Sequence, residues 1–101
     1  MNYADVLPNA GSLYQYVVYG TPVGDFLTAV ICNDLFEAFG RADDLNTEHM
    51  QYYCKFLYNN VPSQCFGSKT NMEYWLENKG IKGLNGKEPS FDDVMTGQAD
   101  Y

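Results

Sequence analysis

The longest helical pattern of apolar residues in the chain runs from Asp25 to Ala42. Apolar side chains recur there at intervals of three and four residues on two adjacent stripes, and the resulting arc is wider than a surface helix needs. Pro22 precedes the pattern, and Asp25 is suited to cap the helix by accepting a hydrogen bond from a free backbone amide. The pattern therefore predicts one long helix over residues 25–42, buried at the centre of the fold.

Two further helices are predicted on either side of this central pattern. A short helix is expected after Ser12, although its two adjacent valines leave a strand open as an alternative. A third helix is predicted from Asn46 or Thr47 to about Asn60, where Pro62 prevents its continuation. One face of this third helix carries its apolar residues at helical spacing: Met50, Tyr53, Cys54, Leu57, Tyr58 and Val61.

A fourth helix is predicted after Ser68, which can cap it, with Met72, Trp75 and Leu76 on its inner face. Gly80 followed by an apolar residue is typical of a helix ending in the left-handed conformation. From residue 82 onward the chain is rich in glycine and polar residues, and the sequence SFDD predicts one short helical turn.

These elements predict an all-α protein. We expect a single compact bundle of about four helices around a buried central helix at 25–42, with irregular segments at the N- and C-terminal ends. The helical domain is expected to cover residues 1–81. Residues 82–101 are expected to form an extended tail with one short helical turn.

The negative net charge of the chain limits the classes of partner that it is expected to bind. The net charge is −7, and residues 1–54 contain seven acidic residues and one basic residue, Arg41. Direct binding to nucleic acid or to an anionic membrane requires a basic face, so we expect neither. The same balance suits a protein partner with a basic surface, including one that itself binds nucleic acid.

The sequence offers little for catalysis or metal binding. Its single histidine, His49, could in principle pair with Cys32, Cys54 or Cys65, but the first two cysteines lie in predicted helices as core residues. No motif gathers metal ligands at the required spacing. We therefore expect no cofactor, no metal and no enzymatic activity. The chain has no signal-peptide pattern and no apolar run long enough to cross a membrane, so a reducing cytoplasm is expected.

Three segments resemble a group of small uncharacterised proteins of phages and other mobile elements. The shared patterns are G-x-P-x-G-x-F-L-x-A-V, N-D-L-x-E-A-x-x-R-A-D and Y-N-x-x-P-x-x-C-W-G-S, followed by a helix that contains tryptophan. The matching residues are Gly20, Pro22, Gly24, Phe26, Leu27, Ala29, Val30, Asn33, Asp34, Leu35, Glu37, Ala38, Arg41, Ala42, Asp43, Tyr58, Asn59, Pro62, Cys65, Gly67 and Ser68. Phe66 departs from the tryptophan of the group. The resemblance covers about residues 13–77 and implies an origin in a mobile element, without implying an activity.

A polar cluster on the central pattern is the candidate binding site. One interpretation is internal, with Arg41 paired to Glu37 and Asp34 capping or pairing with a neighbouring segment such as the turn at 62–68. The other is an acidic edge that faces a partner. The residues expected to bind the partner are Asp34, Glu37, Asp43, Asp44, Glu48 and Tyr52.

The sequence thus suggests a small acidic, non-enzymatic protein that acts in the host cytoplasm. We expect it to bind and inhibit a host protein, such as a CRISPR effector or another defence nuclease, by covering a basic surface. One alternative is a protein that sequesters a nucleotide signal with Arg41 and the backbone amides near Gly24 and Gly67. Another is a structural accessory protein that acts as a homodimer.

Overall fold

The computed structural model describes all residues from Met1 to Tyr101, and it is all-α, as predicted. None of its helices is long and apolar enough to cross a membrane. Two short 3-10 turns cover Tyr3–Asp5 and Ser63–Cys65. The eight helices are α1 Ala10–Tyr19, α2 Asp25–Ile31, α3 Leu35–Arg41, α4 Asp44–Glu48, α5 Met50–Asn60, α6 Lys69–Glu77, α7 Gly80–Asn85 and α8 Phe91–Thr96.

The most deeply buried helix is α1, which carries no charged residue. Four of its side chains, from Leu13 to Val18, are fully buried. The Trp75 indole of α6 donates hydrogen bonds to the carbonyl oxygens of Tyr16 and Val17, each at 3.1 Å. The Tyr16 hydroxyl in turn donates to the carbonyl oxygen of Cys65 at 2.6 Å. Since a buried indole or phenol needs a partner, these bonds fix α1 relative to α6 and to the turn at Ser63–Cys65.

The prediction of one long helix over 25–42 is wrong, because the chain breaks at Asn33. Asn33 has a φ of 61°, in the left-handed region, and Asp34 caps α3 by accepting from the Glu37 backbone amide at 3.3 Å. Asparagine tolerates this backbone conformation, and aspartate offers the backbone an alternative to a continuous helix. On the other side of the break, the Gly67 amide donates to the last carbonyl of α2, that of Ile31, at 2.7 Å.

The break folds α3 back against α2, so that the two form an antiparallel helical hairpin. Gly24, rather than Asp25, occupies the cap position of α2, and no side chain caps this helix. The apolar residues of α2 are largely buried, whereas Ala38 is the only buried residue of α3. The central position in the fold therefore belongs to α1 instead of residues 25–42.

The third predicted helix is also divided. Asp43 caps the short helix α4 through a bond from the Asn46 amide at 2.7 Å, and α5 follows from Met50. Its end at Asn60 agrees with the prediction, because Val61 is extended before Pro62. Cys54 and Tyr58, expected on the buried face, are exposed. The side chains that do face the core are Met50, Tyr53, Phe56, Leu57 and Asn60.

Helix α6 begins after Ser68, whose hydroxyl accepts from the Asn71 amide at 3.0 Å, and it buries Met72 and Trp75 as predicted. At its end Gly80 does not close the chain into a loop but begins α7. A β-carbon on Gly80 would lie 2.7 Å from the backbone oxygen of Val18, so the two backbones are in direct contact. Glycine is required at this crossing of α1 and α7.

Residues 82–101 pack onto the rest of the molecule, in contrast to the extended tail expected from their composition. The short helix after Ser90 is present as α8, and its Val94 and Met95 are fully buried. The buried Asn60 amide donates to the carbonyl oxygens of both residues at 3.0 and 3.1 Å. The Tyr101 hydroxyl donates to the Asn60 carbonyl at 2.7 Å. These bonds attach α8 and the residues after it to the end of α5.

Candidate protein-binding surface

The outer side of α3 exposes large apolar side chains. Phe36 is 89% exposed, Leu35 60% and Phe39 44%, and Leu45 on α4 is 51% exposed. We call these four residues the apolar face. These three residues of α3, Leu35, Phe36 and Phe39, belong to the apolar pattern over 25–42 that predicted the buried arc of one long helix. They are exposed because the break at Asn33 turns α3 back on α2, and only one narrow side of α3, at Ala38, meets the body of the protein.

Acidic residues accompany the apolar face along the same segment. Five of the six predicted partner-binding residues are exposed carboxylates, which we call the acidic edge: Asp34, Glu37, Asp43, Asp44 and Glu48. The sixth, Tyr52, is half-buried, packs against the core, and has its ring centroid 5.9 Å from that of His49. The structure thus places the five carboxylates at the start of α3, on α3, in the link to α4 and on α4, with Tyr52 at their margin on α5.

Two members of the acidic edge have clear structural roles. Asp34 and Asp43 cap α3 and α4 through their side-chain oxygens. Each of these bonds satisfies a backbone amide that has no partner within its helix, which is worth about 1 kcal/mol per cap. In contrast, Asp44 and Glu48 take part in none of the ion pairs of the structure.

Arg41 joins the two ends of the α2–α3 hairpin. Its Nε donates to the Glu37 carboxylate at 2.9 Å, and its Nη1 donates to the Asp25 carboxylate at 3.2 Å. The hydrogen bond that Arg41 donates to Glu37, followed by the negative charges of Glu37 and Asp25, raises the pKa of Arg41 above its usual value. Arg41, Glu37 and Asp34 therefore make contacts within the chain, as the internal interpretation supposed. The other carboxylates of the acidic edge face solvent.

A groove between α3 and α5 adjoins the apolar face. It consists of two small cavities of about 50 and 230 Å³ that share Val30, Asn33 and Cys54 as lining residues. Leu35 lines the smaller cavity, so the apolar face and the groove are continuous. We call this feature the α3–α5 groove. Its side-chain lining also includes Ala38, Met50, Leu57, Tyr58 and Phe66.

The largest cavity, of about 590 Å³, lies between the α2–α3 hairpin and α6. Its volume is within the range of small-molecule sites. Four carboxylates line it against two basic side chains, Arg41 and Lys69. Arg41 is already bonded to two of those carboxylates. The backbone amide of Gly67, which the nucleotide hypothesis assigned to the ligand, donates to the carbonyl oxygen of Ile31 instead. This arrangement disfavours an anionic ligand such as a nucleotide.

No hydrogen bond joins His49 to any of the three cysteines in the structure. Cys65 is buried, Cys32 is half-buried and Cys54 is exposed, and all three are free thiols. Burial raises the pKa of Cys32 and of Cys65, which reduces the thiolate fraction at neutral pH. The His49 ring uses Nδ1 to contact the Leu45 carbonyl oxygen at 2.7 Å. No group of three or more histidine, cysteine, aspartate or glutamate side chains is arranged to hold a metal ion.

The sequence contained a signal for the break that exposes this surface. The segment Asp34-Leu35-Phe36-Glu37 has an acidic residue at the cap position and a glutamate three residues later, which is typical of the start of a helix. Reading this signal as a helix start would have separated α3 from α2. The exposure of Cys54 and Tyr58 has no comparable signal, because both lie on a regular apolar stripe of α5.

Comparison with protein-family models, with curated proteins and with solved structures finds no match.

Proposed function

We propose that this chain is a non-enzymatic protein-binding domain that covers a basic surface of a host protein with the outer side of α3 and α4. The observation that carries the proposal is the exposure of Leu35, Phe36 and Phe39 on one seven-residue helix. Contiguous apolar surface on a small protein marks an interaction site, and aromatic side chains are enriched at the centres of protein interfaces.

The charges around the apolar face indicate the kind of partner. Residues 25–54 contain six carboxylates and one arginine, and that arginine is paired with Asp25 and Glu37. A complementary partner would have an apolar centre surrounded by lysine or arginine side chains. Such charges steer the encounter and exclude other partners more than they increase affinity, so the apolar residues are expected to dominate the binding energy.

The resemblance to phage and mobile-element proteins suggests the class of target. An element that enters a cell encounters defence nucleases, and these have basic surfaces that hold nucleic acid. We therefore propose a CRISPR effector or another defence nuclease as the target, inhibited by occlusion of such a surface in the host cytoplasm. Imitation of a DNA phosphate ladder is not part of the proposal, because α3 spans only about 10 Å and carries a single carboxylate, Glu37.

The alternatives have less support. The largest cavity could hold a small molecule by its size, but its excess of carboxylates opposes a nucleotide. A homodimer formed through α3 and α4 would bring two acidic edges together in a chain whose net charge is −7. A partner with basic residues meets neither difficulty.

A defence assay with matched variants tests the proposal. Bacteria that carry an active nuclease defence system would express either the wild type or the double variant Phe36→Ser/Phe39→Ser, and plating of a targeted phage would be counted. We expect the wild type to restore plating and the double variant to fail. Tyr74→Ser is the control, since it removes an exposed aromatic ring from α6. Equal activity of all three proteins would contradict the role of the apolar face.

Capture of the target supplies the second part of this test. Each tagged protein would be incubated with lysate of the defended strain, and a captured nuclease would be purified and titrated directly. Loss of Phe36 and Phe39 should weaken binding by at least about 30-fold, the effect expected of an interface hot spot. A bound nucleotide released on denaturation of the wild type would instead favour the sequestering alternative.

A further inference from the structure

We infer that the α3–α5 groove accepts apolar side chains from a basic amphipathic helix of the partner protein. The inference rests on the proposed function, because it specifies the partner segment that engages the same side of the molecule. Leu35 belongs to both the apolar face and the groove, so one binding segment can contact the two features together.

The size of the groove indicates side chains as its occupants. Its two cavities have volumes of about 50 and 230 Å³. Both volumes lie below the range of about 300–1,000 Å³ that is typical of small-molecule sites. The linings are mostly apolar, and Tyr58 at one end is 82% exposed. Anchoring side chains of a partner protein commonly fill pockets of this kind at the centre of an interface.

The length of the groove suits a helix. Met50, Cys54 and Tyr58 follow one another at intervals of four residues along α5 and line the groove in that order. Eight residues of helix span about 12 Å, which is slightly more than two turns. A partner helix that lies along α5 would present anchors at positions i, i+4 and i+7 over nearly the same distance.

The negative charge beside the groove favours a basic helix of another protein as its occupant, rather than a second copy of this chain. The acidic edge lies along α3 and α4 beside the groove, and Asp44 and Glu48 have no ion-pair partner within the chain. Lysine or arginine residues on the flanks of a bound helix would meet these carboxylates. A second copy would bring more carboxylates to the same place.

Synthetic peptides test this inference without knowledge of the natural partner. The probe is a helical peptide with leucine at the three anchor positions and lysine on its flanks. One control peptide replaces each leucine with serine at the same charge, and another replaces each lysine with glutamate. Binding of fluorescently labelled peptide would be followed by anisotropy, and alkylation of each cysteine by mass spectrometry.

The exposed Cys54 thiol reports occupancy of the groove directly. We expect the leucine–lysine peptide to bind and to slow alkylation of Cys54 by about tenfold or more at saturation, the change that 1.4 kcal/mol of protection produces. Cys32 lines the largest cavity rather than the groove, so its alkylation rate should stay unchanged. Both control peptides should bind more weakly and protect Cys54 less.

Two substitutions at one position separate the groove from the rest of the surface. Cys54→Phe fills the groove and should weaken binding of the leucine–lysine peptide by about tenfold. Cys54→Ser leaves the groove open and should bind this peptide like the wild type. Thermal melts that match the wild type would show that both variants are folded, as expected for an exposed position.

Several outcomes would overturn the inference. Binding of the leucine–lysine peptide without protection of Cys54, or with unchanged affinity for Cys54→Phe, would place it outside the groove and leave the proposed function intact. Equal protection by the serine–lysine peptide would show that no apolar anchor is needed. A dimer in sedimentation that Cys54→Phe dissociates would assign the groove to a second copy. Failure of the leucine–lysine peptide to bind would contradict the inference, while the phage-plating assay would still decide the proposed function.

Discussion

The guanidinium group of Arg41 lies 3.2 Å from the carboxylate of Asp25, which fastens the end of α3 to the beginning of α2. The contact closes a hairpin whose second helix has only one buried residue, Ala38. Both charged side chains are more than half exposed, so solvent screens the pair and it adds little to global stability. Its expected role is to hold α3, and with it the apolar face, against the body of the protein.

Removal of this contact should loosen α3 selectively. In Arg41→Gln, we expect backbone amides of α3 to exchange with solvent faster than in the wild type, whereas those of α1 and α6 should keep their rates. Native-state hydrogen exchange measures both sets. Lys69→Gln is the control, because it breaks another exposed pair, Lys69–Glu73, outside the hairpin. Unchanged exchange in α3 would mean that the hairpin does not depend on Arg41.

Substitution of Asn33 tests the break between α2 and α3. Because Asn33 has a φ of 61°, Asn33→Ala should lower the free energy of unfolding by about 1 kcal/mol. Asn33→Gly should change it by less than about 0.5 kcal/mol, since glycine adopts this conformation without strain. Urea denaturation compares the two variants. Greater stability of the alanine variant would indicate a continuous helix over 25–42.

Substitution of Gly80, at the crossing of α1 and α7, should lower the free energy of unfolding more than substitution of Asn33. Gly80→Ala places a methyl group 2.7 Å from the Val18 backbone at a φ of 65°, so we expect a loss of about 2–5 kcal/mol from strain and overpacking together. Gly40→Ala is the matched control. Its β-carbon meets nothing within 4 Å, and α3 should gain up to about 1 kcal/mol in helix propensity. Similar melting temperatures for the two variants would contradict the close packing of α1 and α7.

Alkaline pH should destabilise the fold through Tyr16. Burial raises the pKa of the Tyr16 phenol above its ordinary value of 10.0, so the folded protein keeps the proton that the unfolded chain loses. Below about pH 10 the stabilisation from this group is complete. As the pH rises further, the free energy of unfolding should fall by about 1.4 kcal/mol per pH unit for this group.

The Tyr16→Phe variant isolates this dependence. It should be less stable than the wild type at neutral pH by about 1–3 kcal/mol, because the Cys65 carbonyl loses its partner. Above pH 10 its stability should fall less steeply than that of the wild type. Tyr58→Phe is the control, because it removes the hydroxyl of an exposed tyrosine. Parallel pH profiles for wild type and Tyr16→Phe would contradict the assignment.

The helical class and several helix ends could be predicted from local signals. Ser68 and Ser90 cap their helices as predicted, and α5 ends before Val61 and Pro62. Such signals depend on short-range hydrogen bonds and sterics, which a few neighbouring residues determine. The burial of Met72 and Trp75 was predictable for a similar reason, because both lie on the single apolar face of one short helix.

The local cap signal at Asp34 and Glu37 competed with the apolar spacing over 25–42, and tertiary packing decided between them. The identity of the central helix also depended on tertiary packing. The apolar spacing over 25–42 fits one helix, but the bond from the Gly67 amide to Ile31 comes from a distant turn. The candidate site likewise has one part that the sequence could locate and one part that depended on tertiary packing. Its carboxylates could be located from charge alone, whereas the exposure of Phe36 follows only once α3 is known to fold back on α2.

Quantitative capture from the lysate of a defended bacterial strain, with three baits compared in parallel, tests most directly whether α3 forms the binding surface. The baits are the wild type, Phe36→Ser/Phe39→Ser and Tyr74→Ser. We expect the wild type and Tyr74→Ser to capture a nuclease and the double variant to capture none, although the double variant melts at the wild-type temperature. Capture of the same proteins by all three folded baits would contradict the assignment of α3 as the binding surface.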